Sequence, residues 1–360
     1  MRLTLIVIFS FLVTLFIQRI ILNYFSKNRI GKRKDIERNS KGFRPRLGGV
    51  GIFLGFLISL VLILSMSSLN MFDYAKFPDV FQFNFYLISL FIIFMIGLID
   101  DLIGLNAWQK LPVEIVAATI LFFNGFAIKL LSIPFAPGKI VLPLLLSYIV
   151  TVLWIVGITN ALNLIDGIDG LAGGIALLSS ISFVIISYLN GKPHFALLAA
   201  SMIGPLLAFL IYNFYPSKIY MGDSGSLVLG FYLATLSLKA SSKASFGITF
   251  IVPIFILFLP ILDTSLSFFR RIFKRKNPLR ADDEHIHHKL MKMGNDERKV
   301  FYILMGWTFI FSVIGVLSTL LSKPFRLFFI AVIVIFAKVL MFNLNYLKIG
   351  PFKRIINKKK

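Results

Sequence analysis

Stretches of about 20 mostly apolar residues, the length a helix needs to cross the hydrocarbon core of a bilayer, recur along this chain from end to end. Eleven can be read, at 3–24, 47–69, 85–103, 113–131, 140–158, 171–189, 195–214, 224–240, 246–268, 301–321 and 326–347. The 224–240 stretch is the weakest, because its apolar core from Leu227 to Leu238 is short; 113–131 carries Glu114 and Lys129 near its ends, where long side chains reach the interface. The first stretch lacks a small-x-small cleavage site and has only Arg2 before it, so it reads as an uncleaved helix. With 58% hydrophobic and 15% charged residues, the chain departs from soluble domains, which are roughly 45–50% apolar and about 25% charged. Zero cysteines exclude a disulfide framework and a thiolate metal site or nucleophile. No repeat and no long linker divides the chain. The expected fold is an all-α integral membrane protein, a single polytopic domain over 1–360.

The formal charge of +22 would suggest nucleic acid in a soluble protein, so the placement of the cations decides its meaning. Loops after odd-numbered spans hold 27 of the 38 Lys and Arg residues, and the opposite side holds nine. The excess on cytoplasmic loops orients membrane proteins, so the N-terminus is expected outside and the C-terminus inside. Loops 25–46, 100–112, 159–170, 215–223 and 269–300 and the basic tail 348–360 then share the cytoplasmic face. No nucleic-acid partner is needed, because the cations lie on short loops rather than on a recognisable module.

Only sixteen residues are acidic, which makes their positions informative. Asp100 and Asp101 end one span, Asp166 and Asp169 lie in NALNLIDGIDGLAGG, and Asp223 lies in YMGDSGS. Asp263 comes near the end of a span, before Asp282, Asp283 and Glu284 in the next loop. All nine fall on the expected cytoplasmic side. A single acid at a helix end is often only a solvated cap, but several groups gathered at one level point to a shared partner. A hard divalent cation, Mg²⁺ or Mn²⁺, is the ligand that clustered carboxylates suit.

Asp166 and Asp169, three apart, would share a face if the segment were helical, and the glycines around them allow close approach of backbone or ligand. Gly222, Asp223, Ser224, Gly225 and Ser226 form a turn into the 224–240 stretch, whose first amides offer a phosphate site. Gly51, Gly55 and Gly204 fit simple helix packing instead. Three of the four histidines, His285, His287 and His288, sit in one tetrapeptide within a basic loop. Their spacing is poor for tetrahedral zinc; among Arg and Lys they suit phosphate and sugar hydroxyls.

RPRLGG (44–49), GLIDD (97–101), NALNLIDGIDGLAGG (160–174), YMGDSGSLVLG (220–230), PILDT with the following RR (260–271) and ADDEHIHHKL (281–290) stand in an order that resembles the polyprenyl-phosphate N-acetylhexosamine-1-phosphate transferases. The HIHH form is similar to members using UDP-GlcNAc or a related UDP-N-acetylhexosamine, whereas the UDP-N-acetylmuramoyl-pentapeptide branch carries a triple-His signature. The CDP-alcohol phosphotransferases share a DG element, but their DG-x2-AR pattern is missing, since Leu171-Ala172 is not followed by Arg.

The resemblance implies transfer of a sugar-1-phosphate, most simply GlcNAc-1-phosphate, from a UDP-sugar to undecaprenyl phosphate at a bacterial cytoplasmic membrane, with release of UMP. It implies Mg²⁺, or Mn²⁺, at Asp223 with help from Asp166. Asp100 and Asp101 would deprotonate or orient the lipid phosphate, and Asp166 and Asp169 would shape the metal and nucleotide site. Asn160 and Asn163 would be neutral hydrogen-bonding neighbours, with Gly222 and Ser224 in the phosphate-binding turn. His285, His287 and His288 would hold the sugar or its phosphate, with Lys110, Arg44 and Arg46 as anion contacts. Direct transfer and a covalent intermediate both stay open, as does assembly as a homodimer. An ion-coupled transporter is the alternative class, but its site would lie near the midplane at a repeat interface, and here the acids sit at span ends.

Overall fold

The computed structural model describes residues 2–28, 44–68, 80–132, 139–240, 251–275, 284–321 and 323–343. Its order is α1 (Arg2–Asn28), α2 (Gly48–Ser68), α3 (Val80–Ile103), α4 (Ala107–Phe123), β1 (Leu130–Ser132), β2 (Lys139–Val141), α5 (Leu144–Ile165), α6 (Leu171–Leu189), α7 (Pro193–Ser201) and α8 (Ile203–Asn213). Then follow α9 (Asp223–Ala240), α10 (Ile251–Ile256), α11 (Phe258–Phe273), α12 (Ile286–Lys292), α13 (Glu297–Leu320) and α14 (Lys323–Asn343). Most of the 25–46 loop, Asp282, Asp283 and the 348–360 tail lie outside the described residues.

Seven helical segments among the described residues are long and apolar enough to cross a membrane: those in α1, α2, α3, α5, α6 and α13, and the α7–α8 pair taken as one. The chain is thus an all-α, multi-pass membrane protein. Of the other four expected spans, three correspond to helices that are short, less apolar or interrupted, namely α4, α9 and α10–α11, and the fourth to α14, a helix of 21 residues. Two interruptions have one cause. Proline has no N–H to donate four residues back, and its ring clashes with that carbonyl. Pro205 would bond Ser201 and Pro260 would bond Ile256; α7 ends at Ser201 and α10 at Ile256. The expected 113–131 span stops earlier, at Phe123. Asn124 and Gly125, at φ +86°, turn the chain into a hairpin in which β1 pairs antiparallel with β2, Leu130 opposite Val141.

Apolar side chains gain little by leaving lipid for protein, so membrane helices associate through close packing and interhelical hydrogen bonds. A polar stripe on α1 shows this. Ser10, Thr14 and Gln18, all buried, lie four apart and face Gly204, Gly55 and Gly51. Gln18 also donates Nε2 to the Gly48 carbonyl at 2.8 Å, a type of bond worth about 0.6 kcal/mol on average. At the centre stands α9, packed on α2, α3, α5 and α6, with every residue except Lys239 buried. Its N-terminal end positions the site.

Candidate active site

Three backbones converge where α9 begins. The segment before α2 pairs with the segment before α9: Tyr220 N–H donates to Pro45 O (2.9 Å), Gly48 N–H to Tyr220 O (3.0 Å) and Gly49 N–H to Met221 O (2.8 Å). The RPRLGG and YMGDSGS motifs are therefore one substructure. Gly222 has φ +74°, and a Cβ there would run into the Arg46 carbonyl and the Asp101 carboxylate, so both backbone and space require glycine.

Asp100 and Asp101 end α3 beside this turn and do different work. Asp101 accepts from Asp223 N–H (2.8 Å), Ser224 N–H (2.9 Å) and Ser224 Oγ (2.6 Å). Its buried carboxylate caps α9 and fills the amides that the sequence offered to phosphate, a correction to that expectation. Asp100 accepts from Leu105 N–H at 2.6 Å and has Lys110 Nζ 3.7 Å away. Asp223 meets Lys110 Nζ at 2.5 Å and the Arg46 guanidinium at 3.5 Å. Asn163 donates to Asp223 at 3.3 Å while its own oxygen accepts from Ser226 at 2.7 Å, which fixes the amide's orientation. One oxygen each from Asp100, Asp101 and Asp223 lies within 4.8 Å of the others, and all three residues are buried. Oxygen ligands so gathered fit a hard divalent cation.

Asp166 and Asp169 are not on a helix. Asp166 caps the C-terminus of α5, and residues 167–170 form turns before α6. Asp166 is close enough to Arg46, Asp223 and Asp101 to feel their charge; burial is the largest cause raising its pKa, opposed by Arg46. Asp169 stands in a separate clamp, accepting from Ser217 N–H at 2.9 Å with Arg44 at 3.7 Å. Arg44 also donates to Ser217 Oγ (3.2 Å) and Tyr220 OH (3.1 Å), while Asp169 N–H donates to Glu297 (3.2 Å). This clamp holds the turns around the site together.

The histidine segment is built on α11. Asp263 accepts from the His285 ring at 2.8 Å and from Ile286 N–H at 2.7 Å, and buried Arg270 donates to the Glu284 carbonyl at 2.9 Å. His285 and His287 stack with rings 5.8 Å apart, and His288 lies 4.1 Å from His287. His287 is buried with neither ring nitrogen hydrogen-bonded, against Gly167 of the DGIDG turn. Burial, aided by the His288 charge, lowers its pKa to about 4, so the ring is neutral at pH 7.

Asn160 donates to Glu114 and to Val156 O (3.0 Å). Glu114, Asp263, Asn213 and Glu297 are absent from the sequence-derived site, yet each braces part of it. Asn213, for example, accepts from Gly170 N–H at 2.9 Å and donates to Ile219 O at 2.8 Å. Glu114 carried a usable signal, as an acid in an apolar stretch.

A buried carboxylate trio beside cations, at one end of a helical membrane bundle, defines a class of membrane enzyme that handles anionic groups. The family profile described as glycosyl transferase family 4 matches residues 83–241. The chain is 34% identical over 297 residues to the probable undecaprenyl-phosphate N-acetylglucosaminyl 1-phosphate transferase of Bacillus subtilis, covering 82% of this chain and 79% of the relative. It is 33% identical to the decaprenyl-phosphate N-acetylglucosaminephosphotransferase of Mycobacterium leprae, over 78% and 74% of the two chains. It is 29% identical to the phospho-N-acetylmuramoyl-pentapeptide-transferase of Staphylococcus carnosus, over 88% and 96%. The chain belongs to glycosyl transferase family 4, the family of polyprenyl-phosphate sugar-1-phosphate transferases.

Proposed function

We propose that the protein transfers N-acetylglucosamine 1-phosphate from UDP-GlcNAc to undecaprenyl phosphate, releasing UMP and starting a lipid-linked cell-envelope glycan. The observation that carries this reading is the trio of Asp100, Asp101 and Asp223 beside Lys110 and Arg46, in a chain of this family. Both reactants are anionic, and phosphoryl transfer asks chiefly for positioning and charge neutralisation. Mg²⁺ held by Asp223 with Asp100 would supply neutralisation. Asp101 keeps the α9 terminus and hence Asp223 in place; Asp100 orients the acceptor phosphate. Lys110 and Arg46 receive phosphate oxygens. His287, neutral and without hydrogen bonds at its ring nitrogens, offers a donor and an acceptor to the sugar or its phosphate. With eleven spans, counting α4, α9, α10–α11 and α14 with the seven, the site would lie on the cytoplasmic face, a reading that the distribution of Lys and Arg supports.

The test is purified protein with undecaprenyl phosphate and a panel of UDP-sugars, reading UMP release. UDP-GlcNAc should be the preferred donor, and EDTA should abolish turnover that Mg²⁺ or Mn²⁺ restores. Preference for UDP-N-acetylmuramoyl-pentapeptide would overturn the donor assignment, and EDTA-insensitive turnover the metal.

A further inference from the structure

The acidic pocket already holds a cation of the protein's own. Lys110 Nζ stands 2.5 Å from Asp223 Oδ2 and 3.7 Å from Asp100 Oδ1, touching two of the three carboxylates. A magnesium ion binds oxygen at about 2.0–2.1 Å, so one sharing Asp223 Oδ2 with this ammonium would lie within about 5 Å of it. Charges of +2 and +1 at that separation repel strongly in a partly buried site. The ammonium must therefore withdraw as a divalent cation enters, and a buried positive charge without a new partner would oppose entry.

The sequence of α4 supplies the partner. Glu114 lies four residues after Lys110, so the two share a helix face, and it is only 1% exposed. One of its oxygens accepts from Asn160, while Oε1 is buried and has no hydrogen-bond partner. A buried carboxylate oxygen without a donor is costly to maintain. It becomes intelligible as a seat that is vacant in one state and filled in another. Lys110 is near enough for its charge to act on Glu114, and its stem, four flexible carbons with three donors at its head, lets the ammonium move between partners. We propose that Lys110 is a two-position counter-ion: it neutralises Asp223 and Asp100 when the pocket holds no divalent cation, and turns to Glu114 Oε1 when one enters. The exchange spares the pocket three bare carboxylates and keeps a positive charge beside it for the substrate phosphates. Arg46, 3.5 Å from the other Asp223 oxygen and 3.9 Å from Asp101, is not on α4 with Glu114 and serves as the control.

This inference rests on the reading of the trio as a divalent-cation site. The experiment is a titration of the purified, detergent-solubilised full chain with Mn²⁺ alone, followed by electron paramagnetic resonance, with no substrate and no turnover. Lys110→Met should bind Mn²⁺ about tenfold more tightly than the natural chain, because the competitor is gone. Glu114→Gln should bind it about tenfold more weakly, because the lysine has lost its second seat. The double variant should match Lys110→Met within about twofold, since the seat matters only to the lysine. Arg46→Gln combined with Glu114→Gln should show additive effects. A Glu114→Gln loss that persists in full in the Lys110→Met background would overturn the inference, because Glu114 would then act through its charge alone. Unchanged or weaker affinity in Lys110→Met would overturn it too. If Mn²⁺ does not bind the natural chain, or binds Asp223→Asn equally well, the cation-site reading falls and this inference with it. Should Glu114→Gln not fold, Glu114→Asp in the two lysine backgrounds carries the same cycle.

Discussion

The two ends of α9 handle charge in opposite ways. At its start, Asp223 meets Lys110 and Arg46, and Asp101 accepts from the first amides, so buried carboxylates face partly buried cations across segments distant in sequence. At its end, Lys239 donates to the Gly125 carbonyl at 2.7 Å and lies 4.4 Å over the Phe126 ring; Lys192 donates to the Lys239 carbonyl at 2.6 Å. There the cations lean on carbonyl dipoles and an aromatic face. The first arrangement suits ligands that change charge during a reaction. The second ties the β1–β2 hairpin end to α9 and to the α6–α7 turn. On the proposed function, one helix thus carries chemistry at one end and anchorage at the other.

The sharpest test of this division pairs Asp223→Asn with Lys239→Met. Removing the Asp223 charge should lower sugar-phosphate transfer by at least about 100-fold, the scale seen when a group stabilising transition-state charge is lost. Lys239→Met should leave transfer within about threefold and cost about 1 kcal/mol of stability, as expected for a cation–π contact with a hydrogen bond. Transfer of radiolabelled sugar phosphate into organic-extractable lipid measures the first, and thermal unfolding in detergent the second. Comparable transfer in the two variants would erase the distinction.

Within the reacting end, Asp100 and Asp101 separate positioning from chemistry. Asp101→Asn puts an amide where two backbone N–H groups and a hydroxyl need an acceptor. It should destabilise the protein by about 2–3 kcal/mol, the scale of hydrogen bonds to a charged group. Asp100→Asn should lose activity with a melting temperature within a degree or two of the natural chain. Equal melting temperatures for both variants would show that the cap on α9 carries no stability.

The broad architecture was legible because 20-residue apolar stretches leave few alternatives, and the scarcity of acids marked Asp100, Asp101 and Asp223 before any contact was known. The pairing of residues 45–49 with 220–221 was not legible, since backbone hydrogen bonds between segments more than 170 residues apart leave no trace in composition. The different environments of two adjacent aspartates were equally hidden: neighbours on a helix point about 100° apart, and only their partners tell them apart. The breaks inside two of the expected spans have a local origin. Pro205 and Pro260 could be read as break points, but a window of 20 residues averages over the interruption. Asp166 and Asp169 would share a face only on a helix, and the glycines between and after them favour the turns that form there.

Gly222 probes how tightly the reacting end is built. Alanine there would adopt φ +74° with its Cβ against the Arg46 carbonyl and the Asp101 carboxylate, at a cost of about 1–3 kcal/mol. Because the Cβ pushes on Asp101, Gly222→Ala combined with Asp101→Asn should destabilise less than the sum of the two. Strict additivity in thermal unfolding would mean that the turn and the cap are independent.

The last test belongs to the anchoring end and is read through pH. Burial, with the neighbouring Lys239 charge, lowers the pKa of Lys192 to about 8 from the ordinary 10.5. Between those values the unfolded chain keeps a proton that the native protein has released, so the unfolded state binds more protons and stability rises with pH. Below about pH 8 both states are protonated, and the dependence on this group vanishes. Melting temperature should therefore gain a positive slope from Lys192 between about pH 8 and 10, and Lys192→Met should remove that part of the slope while every other group titrates as before. The difference between the two profiles, rather than either alone, isolates the lysine. Parallel profiles would mean that Lys192 is as well hydrated in the native protein as in the unfolded chain. Its hold on the Lys239 carbonyl would then contribute nothing to anchoring this end of α9.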